Sequence, residues 1–371
     1  MQKFTDRKKE TTKMTTVTVF KSFAWAALVV LLTGMQTVRA APFVYVPMGS
    51  DDKIVVVDAA TDKIVDTISG IESVHGLAKS PGGRFLIAGS YTERDVKSES
   101  VVKPVGVTED EHAAHHAAPA PGAITLGSVV STVSIIQTAD GAITRRIDVP
   151  GAVHHVSASP DGRFAVVTHP SEGAISVIDL PSYTVIKKIS TGPLTNYAVF
   201  SPDSGRVYVS NAGNGTISEV DTERWIVRRN FVAGDSPEHM VISRDGNLLY
   251  VANVDAGTVS KILTKDGSIA RNFKVGGSLH GITLSTNDQT LFVSALDRDK
   301  LVAFDLKTNE MREAPLSPAP YHAAAIANTG KIYVSSADEP IIWVIDQESL
   351  ALRGKIAIGG KAHQMVISPN L

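Results

Sequence analysis

Imidazoles recur at one place in a repeated pattern along this chain. His75, His154, His280, His322 and His363 each lie five residues before a small residue at a polar turn: Ser80, Ser159, Ser285, Ala327 and Ser368. Asn196 and Glu238 hold the same place before Ser201 and Ser243, and His155 and His239 follow one residue further along. Seven of the eleven histidines therefore fall in these segments. Imidazoles converging from separate segments can ligate zinc, copper or iron, or give an axial ligand to a haem-type tetrapyrrole. A histidine repeated in this way can equally hydrogen-bond a neighbouring strand in each repeat, and residue type alone does not choose. His169, near the end of a later strand, joins the candidate ligands, with Asn211 and Asn253 in matching positions.

A second constellation is the run TEDEHAAHHAAPAPG from Thr108 to Gly122, which brings His112, His115 and His116 close to three acidic residues. His112 and His116 have the i, i+4 spacing that suits a divalent metal if the segment is helical. Ala113 stands where an HExxH zinc hydrolase carries its glutamate, so hydrolytic zinc chemistry gains no support from this run. By composition it is either a metal-capturing loop or a solvated low-complexity one. The aspartates Asp58, Asp179, Asp221, Asp305 and Asp346 precede turn sequences such as DAATDK and read as caps of their own turns. There are no cysteines, so disulfides, thiolate ligands and cysteine nucleophiles are excluded. No GxSxG nucleophile elbow stands out.

The elements that would position these residues are short strands. From His154 to His322 the repeat is 42 residues, the last step is 41, and His75 precedes His154 by 79, one period plus an insertion of 37. Each period carries Val/Ile/Tyr-rich runs such as Val207–Asn211, Leu249–Asn253, Leu291–Ala295 and Ile332–Ser336, separated by turns written SPDG, SRDG or STND. Four strands in about 40 residues is the signature of a β-propeller blade, and no helical apolar stripe competes with it. The expected fold is all-β: a seven-bladed β-propeller of four-stranded blades. Its first blade takes strands two to four from the N-terminal end of the mature chain (Phe43–Val46, Ile54–Asp58, Ile64–Ile68) and strand one from His363–Ser368, which leaves no open sheet edge. The insertion, roughly residues 91–128, falls between the second and third strands of one blade. In a propeller such loops share a face with those leading into strand one, so the His-rich run should lie over the histidine ring.

Residues 1–40 read as a secretory signal peptide. Lys8, Lys9, Lys13 and Lys21 precede the apolar run Phe23–Leu32, which is shorter than the roughly 20 residues a membrane span needs. Cleavage is expected after Ala40, with Met14 as an alternative start and no stable membrane span left in the mature chain. No twin-arginine pair precedes the apolar run, so export of an unfolded chain and later ligand loading are expected. The mature domain, residues 41–371, carries an excess of about seven negative charges, which argues against a nucleic-acid partner. A periplasmic monomer is expected.

The repeat resembles the YVTN-type β-propeller family over essentially all of residues 43–371. Val207-Tyr-Val-Ser-Asn211, the segment Gly215–Asp221 and Val344-Ile-Asp346 carry the likeness. That architecture implies the propeller and leaves activity open, since relatives include surface-layer proteins, haem-holding nitrite reductase propellers, lactonase-like propellers and the copper-cluster propeller of nitrous oxide reductase. More narrowly, an exported propeller with the TEDEHAAHH loop resembles the periplasmic zinc chaperones that load the solute-binding protein of a zinc ABC transporter. This likeness implies a zinc-capturing role with His112, His115 and His116 in the loop. The two other readings are a ligand-free interaction scaffold and a metal-dependent, lactonase-like hydrolase.

Overall fold

The computed structural model describes residues 41–95 and 127–368. The leader and the run containing His112, His115 and His116 lie outside the described residues. The rest forms seven antiparallel sheets, six with four strands, the other with four and a short extra strand. Blade 1 joins Phe43–Met48, Lys53–Asp58 and Lys63–Ser69 to the last strand, Val366–Ser368, with Phe43 opposite Ser368 and Tyr45 opposite Val366. The ring closes as the repeat pattern requires. Blades 2 to 7 follow in chain order, each beginning with its innermost strand. The insertion sits in blade 2, between Phe85–Ser90 and Val129–Gln137, and the two-residue strand Arg94–Asp95 pairs with Val129 and Val130.

Second strands are apolar on both faces because each blade packs against two neighbours. Val207, Tyr208 and Val209 are all fully buried, as are Leu249, Tyr250 and Val251. The described apolar core resolves into seven clusters, and each spans two adjacent blades, blade 7 with blade 1 included. The ring is thus held by seven inter-blade interfaces, with the channel left to polar and aromatic side chains.

Turn chemistry matches the repeated sequence. In the SPDG turn of blade 3, Ser159 Oγ donates to Asp161 Oδ1 at 2.6 Å and accepts from Phe164 N at 2.9 Å. Gly162 holds φ +75° there, which a side chain would strain. Asp305 Oδ1 accepts from Lys307 N and Thr308 N at 2.8 and 2.7 Å, so the third-strand aspartates cap their own hairpins.

One irregularity decides where the histidines go. Six blades carry a bulge between their third and fourth strands. Blade 6 pairs Lys300–Phe304 with Met311–Pro315 without one, and so is a residue shorter. The 41-residue step accordingly falls between blades 6 and 7, not at the end of the chain. Leu279 pairs with Ala295 and Pro320 with Ser336, which makes Tyr321 the structural counterpart of His280. His322 lies one position further along.

Candidate metal centre

The innermost strands carry a bulge of their own where they face the channel. In blade 4, Thr195 pairs with Asn211 and Ala198 with Val209, so Asn196 and Tyr197 together oppose Ser210. Blades 2, 5, 6 and 7 repeat this shift. A bulge re-aims side chains, here turning two successive residues toward the axis. The amide it frees is satisfied by a hydroxyl of the second strand: Tyr197 N donates to Ser210 Oγ, His155 N to Thr168 Oγ1 and His322 N to Ser335 Oγ at 3.0–3.2 Å.

Two layers of seven residues result. The layer nearer the loops holds His75, His154, Asn196, Glu238, His280, Tyr321 and His363, and its four histidines are half-buried. The deeper layer holds Gly76, His155, Tyr197, His239, Gly281, His322 and Gln364. His155, His239 and His322 are 1%, 4% and 5% exposed, which places them in the protein interior. Gly76 and Gly281 have no room for a side chain. A Cβ on Gly76 would lie 2.8 Å from His155 Cα, and one on Gly281 would lie 2.6 Å from Ala323 N.

The imidazoles gather into two trios with mutually close nitrogens, His75–His154–His155 and His239–His280–His322, each set within 4.8 Å. His363 lies 4.1 Å from His75 between ring centroids, and His155 joins the trios through contacts of 4.9 Å to His239 and 6.1 Å to His322. Tyr197 stands between them, 4.7 Å from His155 and 5.1 Å from His239. Tyr91, the first residue of the insertion, lies 5.3 Å from His75 and 5.9 Å from His154. The insertion therefore departs from the face that carries the histidines.

The first trio has its tautomers set by carbonyl groups. His75 Nδ1 donates to His154 O at 2.8 Å and His154 Nδ1 to Asn196 O at 3.3 Å, which leaves each Nε2 as the lone-pair nitrogen. In the second trio both ring nitrogens of His239, with Nε2 of His280 and of His322, are buried without a hydrogen-bond partner among the described residues. Burial, reinforced by neighbouring histidines, holds His154 down to about 4 and His239 and His363 down to about 3. The same causes hold His155, His280 and His322 well below the usual imidazole range. Neutral imidazole is the form that binds metal. Glu238, whose carboxyl is pushed up to about 7 by burial and then by Asp255, is the one carboxyl in these two layers.

Of the histidines expected at a site, the fold brings together His75, His154, His155, His280, His322 and His363. It adds His239, a full member of the second trio. His169 is held elsewhere. Its Nδ1 donates to Ala152 O at 3.0 Å and its Nε2 accepts from Ser176 Oγ at 2.8 Å, so both nitrogens tie strand ends within blade 3 and the loop before it. Asn211 and Asn253 make the equivalent tie to Ser218 and Ser260. Glu238 holds the repeat position that the sequence assigns to it, and Tyr197, Tyr321 and Gln364 join it at the same two positions as the histidines, a signal visible only once both positions are followed through every blade.

These features define a seven-bladed β-propeller with an imidazole-lined channel. The model of the lactonase family, described as a 7-bladed β-propeller, matches residues 167–334. No curated protein matches the chain. Among solved structures, it is similar to a putative 6-phosphogluconolactonase from Bacteroides fragilis, with TM-score 0.68 and 14% identity over 89% of this chain and 99% of that one. Hydrazine synthase from Kuenenia stuttgartiensis gives a TM-score of 0.63 and 16% identity over 87% and 99%. Dihydro-heme d1 dehydrogenase NirN, in complex with DHE, gives 0.62 and 12% over 86% of this chain, which spans 64% of that one. At these identities the likeness is one of fold.

Proposed function

We propose that this protein is an exported metal-binding propeller that captures a divalent ion, zinc in the first place, in its channel and passes it on. The observation that carries this reading is the set of buried ring nitrogens, without partners among the described residues, on His155, His239, His280, His322 and His363. Leaving a buried polar atom unpaired costs about 1–3 kcal/mol, and a bound cation would remove that cost at several atoms together. An all-imidazole donor set suits zinc, copper, iron or nickel, and the lack of a cage of carboxylate and carbonyl oxygens among the described channel residues disfavours magnesium and calcium. Ring centroids only 4.2–5.6 Å apart within each trio favour an ion over a macrocycle lying between the rings. The His-rich insertion, which begins beside His75, would collect the ion, and the solute-binding protein of a metal ABC transporter in the periplasm would receive it.

The test is retention of zinc, and separately of copper, by chelator-stripped protein titrated against a chromophoric chelator. Stoichiometric retention is expected, with loss in His155→Ala and in His239→Ala. Equal retention by both variants and the parent would refute the reading. The family match over residues 167–334 favours a second reading, lactone hydrolysis by a water molecule activated on the same metal. Chelator-sensitive turnover of a lactone would establish it. A co-purifying exported partner with no retained metal would instead indicate a scaffold.

A further inference from the structure

Gln364 crosses the channel floor from the segment that closes the ring. Its Oε1 faces Leu77 N at 3.1 Å and Val156 N at 3.4 Å, and its Nε2 faces Val156 O at 3.2 Å. Backbone N–H groups only donate and a backbone carbonyl only accepts, so these partners fix which end of the amide is oxygen. The same oxygen lies 3.2 Å from His155 Nδ1, and an oxygen already accepting two amides requires Nδ1 to carry the proton. Gln364 Nε2 also reaches Tyr197 OH at 3.3 Å, the tyrosine wedged between the two trios.

We propose that Gln364 is the positioning residue of the metal centre: its side-chain oxygen holds the His155 proton on Nδ1 and turns the buried, unpartnered Nε2 lone pair toward the cluster. The inference rests on the metal-binding reading for its purpose but not for its geometry. His155 is the one imidazole of its trio oriented by a side chain, while His75 and His154 use backbone carbonyls. Because Gln364 lies two residues before the closing strand Val366–Ser368, the deep layer is complete only when the ring is shut. Outer-shell partners of this kind typically change metal affinity 10- to 100-fold when removed.

Long-range proton–nitrogen spectra of full-length, metal-free protein labelled with 15N at histidine read the tautomer directly. His155, assigned by loss of its signals in His155→Asn, is expected to carry its proton on Nδ1. Gln364→Leu is expected to abolish that preference and to weaken zinc binding 10- to 100-fold in the folded fraction. Gln364→Glu keeps an acceptor for His155 and both amides, at the expense of the donor to Val156 O, and is expected to restore the Nδ1 tautomer and most of the zinc affinity that Gln364→Leu loses. A merely structural glutamine would lower the melting temperature of Gln364→Leu and leave tautomer and zinc affinity unchanged, which would overturn the proposal. An Nε2-protonated His155 in the parent would overturn it without any variant. Failure of the parent to bind zinc would defeat the metal reading while leaving the tautomer result to stand or fall alone.

Discussion

Tyr321 stacks on His280 with 3.7 Å between ring centroids and 11° between planes, the closest ring contact among the described channel residues. The two residues occupy the same layer of adjacent blades, and the phenol edge also meets His322 at 4.6 Å. Tyr321 therefore covers part of two imidazoles of the second trio. Burial and the nearby Glu238 push its hydroxyl up to about 12, so it stays neutral at working pH.

Removing that cover should speed metal loss without removing a ligand. Tyr321→Ala is expected to raise the zinc dissociation rate by about tenfold, in line with losing an aromatic contact worth about 0.5–1.5 kcal/mol. Tyr321→Phe, which keeps the stacked ring, should match the parent. Stopped-flow transfer to an excess of fluorescent chelator measures both.

Close approach of the innermost strands depends on glycine in two blades. A Cβ at Gly281 would collide with the Tyr321 carbonyl oxygen and meet His322 C at 2.9 Å. Backbone cannot rotate aside as a side chain can, so Gly281→Ala is expected to destabilise the ring by about 1–3 kcal/mol and to displace His280 and His322 together. Chemical denaturation and zinc affinity should both report it. An alanine variant with parental stability would show that blades 6 and 7 can separate freely.

His169 offers a control in which histidine serves only the blade. Asparagine makes the corresponding tie at 211 and 253, with Nδ2 donating to a serine at 2.9 and 2.8 Å. His169→Asn should therefore keep both stability and zinc retention. His169→Leu strands Ser176 Oγ and Ala152 O, and is expected to cost about 1–3 kcal/mol of stability with zinc stoichiometry unchanged. Thermal melts with metal analysis of the folded fraction separate the two effects.

Acid should unfold the metal-free protein early. His154 is held to about 4 and His239 and His363 to about 3 in the folded state, against about 6.5 when unfolded. Below pH 6.5 the unfolded chain takes up protons that the folded channel refuses, so stability is full above that pH and declines as pH falls toward 4. Each such group adds at most about 1.4 kcal/mol per pH unit to the slope, and His155, His280 and His322, held down by the same causes, act in the same direction. Melts of chelator-treated protein between pH 7.5 and 4.5 should show this decline, and His154→Asn with His239→Asn should flatten it.

The propeller was legible in the sequence because turns and strand periods are local signals. SPDG turns, Tyr-Val runs and hairpin-capping aspartates each act within a few residues, and the missing first strand at one end matched the spare one at the other. The site was legible only in part. Its face and most of its histidines follow from the repeat, but spacing assigned His322 to the ring of His280, whereas a bulge absent from blade 6 moves it beside His155 and His239. His155 and His239 follow the ring position by one residue in the sequence, and what brings them to the axis, the inward bulge that turns two successive residues, depends on pairing between strands. His169 looked equivalent to a ligand for the converse reason. Its partners, Ala152 and Ser176, are fixed by tertiary contacts that no spacing reveals.

Anomalous diffraction at the zinc edge from crystals of zinc-loaded full-length protein would locate a bound ion. Density is expected in the channel about 2.0–2.1 Å from imidazole nitrogens of His239, His280 and His322 or of His75, His154 and His155. Zinc found only outside the channel, with these nitrogens still unligated, would contradict the metal-binding reading.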